Sequence, residues 1–464
     1  MRLTAVKTLL LLAVVALLGG ATAVVLTSGD AGRGRSMPAA ISTPSPDSEP
    51  VRGALLAGFA TSGRLPTAAG LLAKLTASLQ DPRLGGVPAF AVVDVLSSQV
   101  LASGRAGMLV VPASTAKIAT ATAVLLSTEP DQRLRTTAAA GPEPGEVVLI
   151  GGGDPTLAGP EAPAVAFGPA RLVDLAAQVR SAMGSTKVTR VLVDDTLFVG
   201  GSTGPGWKPS YVSSGNVAPV MALSLDGGRV HPDAQPRVLD PALAAGRAFA
   251  QLLDPRAATG AQIVVARGAA APSAPRLGSV SSPPIPVLVE QMLERSDNDI
   301  AEAMTRQVAL ARGLPASFAG GGQGVTAVLG EFAGPAVAAG VALQDGSGLS
   351  REDRVEPAAM AALLAVAART ERLRPLLGGL PVAGFDGTLA ERFRSAGALP
   401  ATGRVRAKTG TLDGISALAG LVRTADGRLL AFDITADAVR DGATTGAEAA
   451  LDVVAAALAS CGCG

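Results

Sequence analysis

Three short motifs in a fixed order constrain this chain more than anything else in it. They are Ser114-Thr115-Ala116-Lys117, Ser296-Asp297-Asn298 and Lys408-Thr409-Gly410-Thr411. The chain carries 33 arginines but only six lysines, and two of those six close the first motif and open the third. The middle motif holds one of only two asparagines, the other being Asn216. Arg cannot release its proton near neutral pH, whereas a desolvated Lys can and then acts as a base. In a sequence that writes Arg almost everywhere, the retained lysines mark places where a titratable amine matters.

Ser114 is the candidate nucleophile. A serine hydroxyl is inert until a base takes its proton. The single histidine, His231, stands beside Pro232 in a turn-like stretch and reads as a loop residue rather than as a member of a Ser-His-Asp triad. One His cannot build a histidine-rich zinc site, so no metal and no cofactor are expected. The base is therefore an amine or a carboxylate, and Lys117 is the nearest amine. Residues 115–126, rich in Ala and Leu, read as a helix. That places Ser114 at the helix N-terminus with Lys117 one turn on, on the same face. Lys408 supplies a second cation that helps to hold Lys117 neutral.

Ser296 and Asn298 admit two compatible roles. Ser-Asp-Asn is helix-capping chemistry, and a helix is predicted from Ile300 onward. A capped helix start holds Ser296 rigidly while Asn298 offers its amide to a peptide. Lys408, Thr409 and Thr411 form a cationic, hydroxyl-rich edge suited to a carboxylate. The backbone N–H groups of Ser114 and Thr411 flank the expected acyl carbon and form the predicted oxyanion hole.

With a formal charge of +1, the 464-residue chain offers no electrostatic case for nucleic acid. Arg2 and Lys7 precede an apolar run over residues 9–26, and Ala21-Thr22-Ala23 offers a small-x-small cleavage site. The run is long enough to span a bilayer uncleaved, so residues 1–28 read as a signal peptide or an N-terminal membrane anchor, with length favouring the anchor. Positive charge before it places everything after it outside the cytoplasm. Membrane contact is expected through this segment only. Residues 29–55 form a Pro/Ser-rich linker.

A main domain is expected over residues 56–127 and 236–464, with an inserted domain over residues 128–235. In the insert, short apolar strands at 147–150 and 188–193 alternate with Gly-rich turns around one helix at 171–182. The main domain is predicted to hold a helix over Ala68–Leu79 and a hairpin of strands at 89–95 and 99–102. Further helices are predicted at 241–253, 287–295, 300–310 and 357–369. A second hairpin at 416–424 and 428–435 precedes a final helix at 453–459. Lys408 then lies on or beside an edge strand of an antiparallel sheet. Cys461 and Cys463 form a C-x-C tail, either frayed with labile thiols or bridged across one residue.

The ordered trio resembles the serine penicillin-recognising superfamily. Flanking stretches narrow the resemblance to the D-alanyl-D-alanine carboxypeptidase/endopeptidase family, the class C low-molecular-mass penicillin-binding proteins. These stretches are Gly151-Gly152-Gly153-Asp154-Pro155-Thr156-Leu157, Ser296-Asp297-Asn298-Asp299-Ile300-Ala301-Glu302, Asp345-Gly346-Ser347-Gly348-Leu349-Ser350-Arg351 and Lys408-Thr409-Gly410-Thr411-Leu412. The resemblance implies an α/β (α+β) penicillin-binding-protein/β-lactamase-like transpeptidase fold, an antiparallel sheet flanked by helices with one inserted β-rich domain. It also implies an acyl-serine enzyme that removes the terminal D-Ala from peptidoglycan stem peptides, can cut cross-links and is blocked by β-lactam inhibitors. Asp154 and Arg351 are implied to recognise the free end of a diaminopimelate side chain; read on their own they are a turn Asp and a surface Arg.

The chain also departs from the family pattern. The 182-residue step from Ser114 to Ser296 is short for a family whose larger members carry a further nested domain. Asp226, in Leu223-Ser224-Leu225-Asp226, stands where the family usually has Asn. Two other functions remain open at this point. A β-lactamase shares the first step but needs a base for the acyl-enzyme; a Glu closely followed by Asn is not available for it, since Asn216 has no acid just before it and Asn298 is already placed in the middle motif, and a Tyr-x-Asn is absent. A catalytically silent cell-wall-binding module is the other, against which the intact Ser114, Lys117 and Lys408 argue.

Overall fold

The computed structural model describes residues 63–161, 168–231, 236–254 and 263–463. The expected signal or anchor and the Pro/Ser-rich linker lie outside these residues. Among the described residues no helix is long and apolar enough to cross a membrane.

Period-two alternation builds the central sheet. β1 (Ala89–Asp94) and β2 (Val100–Gly104) form the first expected hairpin, whose turn is held by Asp94 accepting from the Ser97 N–H and hydroxyl. β10 (Val405–Leu412), β11 (Ile415–Arg423) and β12 (Leu429–Ala436) complete it in the order β10-β11-β12-β1-β2, antiparallel throughout. Phe90, Val92, Leu418, Phe432 and Ile434 face one core, while Ala91, Val93, Ala419, Leu421 and Ala431 face another. The first face is covered by α1 (Ala68–Leu79), through Leu71, Leu75 and Leu79, and by α12 (Thr444–Ala459). The second is covered by α2 (Lys117–Ser127), α6 (Ile285–Arg295), α7 (Asn298–Ala311), α8 (Phe318–Ala333) and the Ala-rich α10 (Pro357–Ala367). With aromatics at 3%, small side chains let these helices lie close to the sheet. α9 (Pro335–Ala339) leads into β8 (Val341–Ala342), which pairs with β9 (Arg354–Val355) and closes the loop between them; α11 (Arg374–Gly379) adds Leu376 and Leu377 to the same core.

A second sheet has the order β6-β5-β4-β3-β7 and is mixed. It comprises β3 (Arg133–Ala140), β4 (Glu146–Ile150), β5 (Arg190–Asp194), β6 (Val264–Arg267) and β7 (Arg276–Pro284). β4-β5 and β5-β6 are parallel, the other pairs antiparallel. α3 (Leu172–Met183) and α5 (Pro241–Leu253) share its core, and the short α4 (Ser210–Ser213) leads to Asn216. The boundary expected at residue 235 therefore falls inside the elements that build this sheet. We propose that the insertion runs from the end of α2 to Pro284, where α6 begins one residue later. The signal was hidden because β7 (Arg-Leu-Gly-Ser-Val-Ser-Ser-Pro-Pro) has no apolar alternation, and α5 carries nothing that ties it to one body or the other.

The tail is not frayed. Cys461 and Cys463 are bridged, Cys461 is fully buried beside α12, and the Cys463 carbonyl accepts from the Thr67 N–H at the start of α1. Asp226 sits at φ +51 and its carboxylate accepts from the Gly159 N–H. Asn and Asp are the side chains that best tolerate left-handed backbone, so the exchange between them costs the turn little.

Candidate active site

Ser114 lies in a 3₁₀ turn, Ala113–Ala116, that runs directly into α2, so the regular helix begins two residues later than predicted. Ala113 has φ +50 while fully buried. Left-handed backbone at a non-glycine residue costs about 1–3 kcal/mol and persists only where neighbours impose it. Two glycines allow that close approach. A Cβ on Gly348, itself at φ +80, would stand 1.9 Å from the Ala113 carbonyl oxygen, and one on Gly410 would stand 2.6 Å from that of Pro112.

Lys117 is completely buried, and its Nζ donates to Ser114 Oγ at 2.9 Å, Asn298 Oδ1 at 2.7 Å and the Ser347 carbonyl at 2.6 Å. Burial pushes the amine down to about 8, against the upward pull of Asp345, Glu302, Asp297 and Asp353. Lys408 reaches the same region from β10. It too is completely buried, and its Nζ donates to the Thr409 carbonyl at 2.9 Å. Burial first, and the charge of Lys117 second, hold Lys408 well below the usual lysine range. Only Lys117 touches the serine.

The remaining motif residues are sorted differently from expectation. Helix α7 is capped by Asp297, whose carboxylate accepts from the Ile300 N–H at 2.9 Å. Ser296 instead occupies the left-handed joint between α6 and α7 at φ +56, and its hydroxyl has no hydrogen-bond partner among the described residues. Asn298 spends one amide N–H on the Asn216 carbonyl at 2.8 Å, leaving the other for a ligand. The Thr409 hydroxyl stays beside Lys408 Nζ and meets Thr388 Oγ1 at 3.0 Å. The Thr411 hydroxyl turns away to Glu448 on α12 at 2.9 Å, so the three-residue edge is reduced to Lys408 and Thr409.

Asp154 is 2% exposed. One of its oxygens accepts from the Thr156 N–H and hydroxyl, and the other has no partner among the described residues. Burial pushes it up to about 6, against those two bonds. Arg351 is exposed and donates to the Asp413 carbonyl at 3.0 Å. Among the described residues the two make no ion pair with each other.

A buried network beneath Lys117 has no counterpart in the sequence reading. The Ser347 carbonyl that receives Lys117 belongs to a loop whose Gly346 and Ser347 N–H groups donate to Glu302. Glu302 is fully buried and paired with Arg306 at 3.0 Å, and Arg306 stacks 3.7 Å over the Phe318 ring. Asp345 holds the same loop by accepting from the Gly348 and Ser350 N–H groups and from Trp207 Nε1. Burial, then Asp345, pushes Glu302 up to about 7. Glu302→Leu is expected to lower stability by about 3–5 kcal/mol, because it leaves the Arg306 cation uncompensated. Arg306→Met should cost less, since Glu302 can take up a proton and keeps its two backbone donors. Urea midpoints check this ordering, and equal losses would contradict it.

A serine hydroxyl in contact with a buried amine, and a second buried amine on an edge strand, are the arrangement that serine acyl transfer requires. The model of the D-Ala-D-Ala carboxypeptidase 3 (S13) family matches residues 71–238 and 233–458. A carboxypeptidase of Mycobacterium tuberculosis is 39% identical over 416 residues, covering 87% of each chain. Carboxypeptidase DacB of Mycolicibacterium smegmatis is 38% identical over 418 residues, covering 87% of this chain and 86% of its own. Penicillin-binding protein 4 of Haemophilus influenzae shares the fold, with a TM-score of 0.63 at 21% identity over 83% of this chain and 98% of its own. The chain belongs to the D-Ala-D-Ala carboxypeptidase 3 (S13) family and is a hydrolase of the D-Ala-D-Ala carboxypeptidase class.

Proposed function

We propose that the protein cleaves the terminal D-Ala-D-Ala bond of peptidoglycan stem peptides through an acyl-serine at Ser114. The observation that carries this reading is Lys117 Nζ at 2.9 Å from Ser114 Oγ in full burial. Neutral Lys117 takes the hydroxyl proton as Oγ bonds to the carbonyl carbon. The N–H groups of Ser114 and Thr411 hold the developing oxyanion. Ser296, with its hydroxyl uncommitted, relays the proton to the departing amine as the C–N bond breaks. Lys408 and Thr409 hold the terminal carboxylate, and substrate binding keeps Lys408 charged by giving it the counter-ion it otherwise lacks. Asn298 orients the peptide with its remaining N–H. Water then hydrolyses the ester.

A β-lactam stops the cycle at the ester, so such compounds inhibit the enzyme. The reaction takes place in the extracytoplasmic cell envelope, with the apolar run over residues 9–26 serving as a cleaved signal or as the anchor. Both a D-Ala-D-Ala pentapeptide and a cross-linked muropeptide are substrates, the second cut by endopeptidase action. Incubation with each, and product identification by mass, tests both: release of D-Ala from the pentapeptide alone would restrict the protein to carboxypeptidase activity.

Asp154 and Arg351 recognise the zwitterionic end of a diaminopimelate side chain, Asp154 with its unpartnered oxygen and Arg351 with donors beyond the one given to Asp413. Each charge-assisted contact is worth about 1.5–3 kcal/mol. Asp154→Ala and Arg351→Ala are each expected to cut kcat/KM roughly ten- to a hundredfold on substrates with that end. Equal losses on an acyl-D-Ala-D-Ala lacking it would make both residues structural.

A further inference from the structure

An open cleft of about 440 Å³ lies against Ser296 and Asn298, and three arginines, Arg229, Arg237 and Arg295, line it. Two carboxylates line it as well, and both are committed. Asp297 caps α7, and Asp299 pairs with Arg237 at 3.1 Å while accepting from the Ala218 N–H at 2.7 Å. The three guanidiniums thus outnumber the two carboxylates of the lining by one, and among the described residues only Arg237 is ion-paired; Arg229 feels Asp226 and Asp299 without an ion pair to either. Arg229 Nη1 donates to the Asp226 carbonyl at 3.1 Å, a neutral acceptor. Arg295, exposed in the last turn of α6, has no hydrogen-bond or ion-pair partner among the described residues. Acyl transfer at Ser114 uses none of these three arginines.

An excess of guanidinium over carboxylate in a concavity concentrates anions, and the planar forks match a carboxylate. The cleft shares Ser296 and Asn298 with the catalytic site, so a peptide held at Asn298 is the molecule best placed to extend into it. We propose that the cleft is a second carboxylate subsite, in which Arg295 and Arg229 hold a carboxylate that the peptide substrate carries away from its scissile end. This rests on the peptidase reading above and adds a determinant separate from Lys408, Asp154 and Arg351. The carboxylate comes from the acyl-donor side of the scissile bond or from the leaving strand.

Binding without turnover isolates the subsite. The full chain carrying Ser114→Ala is titrated calorimetrically with a D-Ala-D-Ala peptide bearing a free side carboxylate on the donor side, and with the same peptide amidated there. A second pair carries the carboxylate, or its amide, on the leaving side. Amidation on one side is expected to weaken binding by about tenfold, and that side identifies the source. Adding Arg295→Gln, a change at an exposed residue, should remove most of this discrimination, and Arg229→Gln should reduce it independently. Binding indifferent to amidation on both sides, or discrimination that survives both Arg variants, overturns the subsite. D-Ala release by the wild-type protein is measured in parallel and tests the peptidase reading alone, since the affinity comparison does not depend on turnover.

Discussion

Ser114→Ala is expected to leave the protein folded and to abolish its labelling by a fluorescent penicillin. The side chain is half-buried and among the described residues its hydroxyl meets only Lys117, so its loss removes one hydrogen bond and opens no sizeable cavity. The urea midpoint should therefore move little. Catalysis should not survive in the same way. Where nucleophile and base act as a unit, removing the nucleophile costs several orders of magnitude, about four or more. The other site hydroxyl beside a buried amine is Thr409 Oγ1, 3.5 Å from Lys408 Nζ, and that amine donates more closely to the Thr409 carbonyl at 2.9 Å; Ser296 has no partner among the described residues. Labelling that persists at another residue would remove the assignment.

Replacement of the two lysines by arginine should separate their roles. Lys117→Arg keeps a positive charge but loses titration, and its larger head must fit a site with 0% exposure. Acylation is expected to fall by about two to four orders of magnitude. Lys408→Arg retains a cation for the substrate carboxylate and should be milder. The wild-type pH profile follows from the same argument. A base works in its deprotonated form, and Lys117 is held at about 8. Below that value the acylation rate should rise about tenfold per pH unit, and above it the rate should level off. In Lys117→Arg this limb should vanish. Equal losses at the two lysines, or an unchanged limb in Lys117→Arg, would contradict the separate roles.

What could be read from the sequence was what lies in side chains with narrow chemistry. Ser114, Lys117 and Lys408 are recoverable because a Lys in an Arg-writing chain is conspicuous, and Ala68–Leu79 because Leu71, Leu75 and Leu79 repeat at helical spacing. The partner that fixes Lys117 most closely is a backbone carbonyl, that of Ser347, and no residue type announces a carbonyl. Asn216 contributes its carbonyl too, to the Asn298 amide, and nothing in its side chain announced that role. Glu302 and Arg306, four apart on α7, look in sequence like an exposed helical ion pair worth a few tenths of a kcal/mol. Burial against Phe318 and the Asp345–Ser350 loop gives them a structural role that spacing alone does not reveal. Ser-Asp-Asn contained a cap, as its composition implied, but Asp297 provides it and Ser296 falls in the preceding joint.

The proposed intermediate is a covalent ester between Ser114 and the acyl half of a D-Ala-D-Ala peptide. Rapid acid quenching of the full chain during turnover of such a pentapeptide, followed by proteolysis and mass analysis, tests it most directly. The expected result is free D-Ala together with a tetrapeptidyl adduct on the fragment containing Ser114, absent in Ser114→Ala. Release of D-Ala with no adduct on any fragment, or an adduct on a fragment without Ser114, would contradict it.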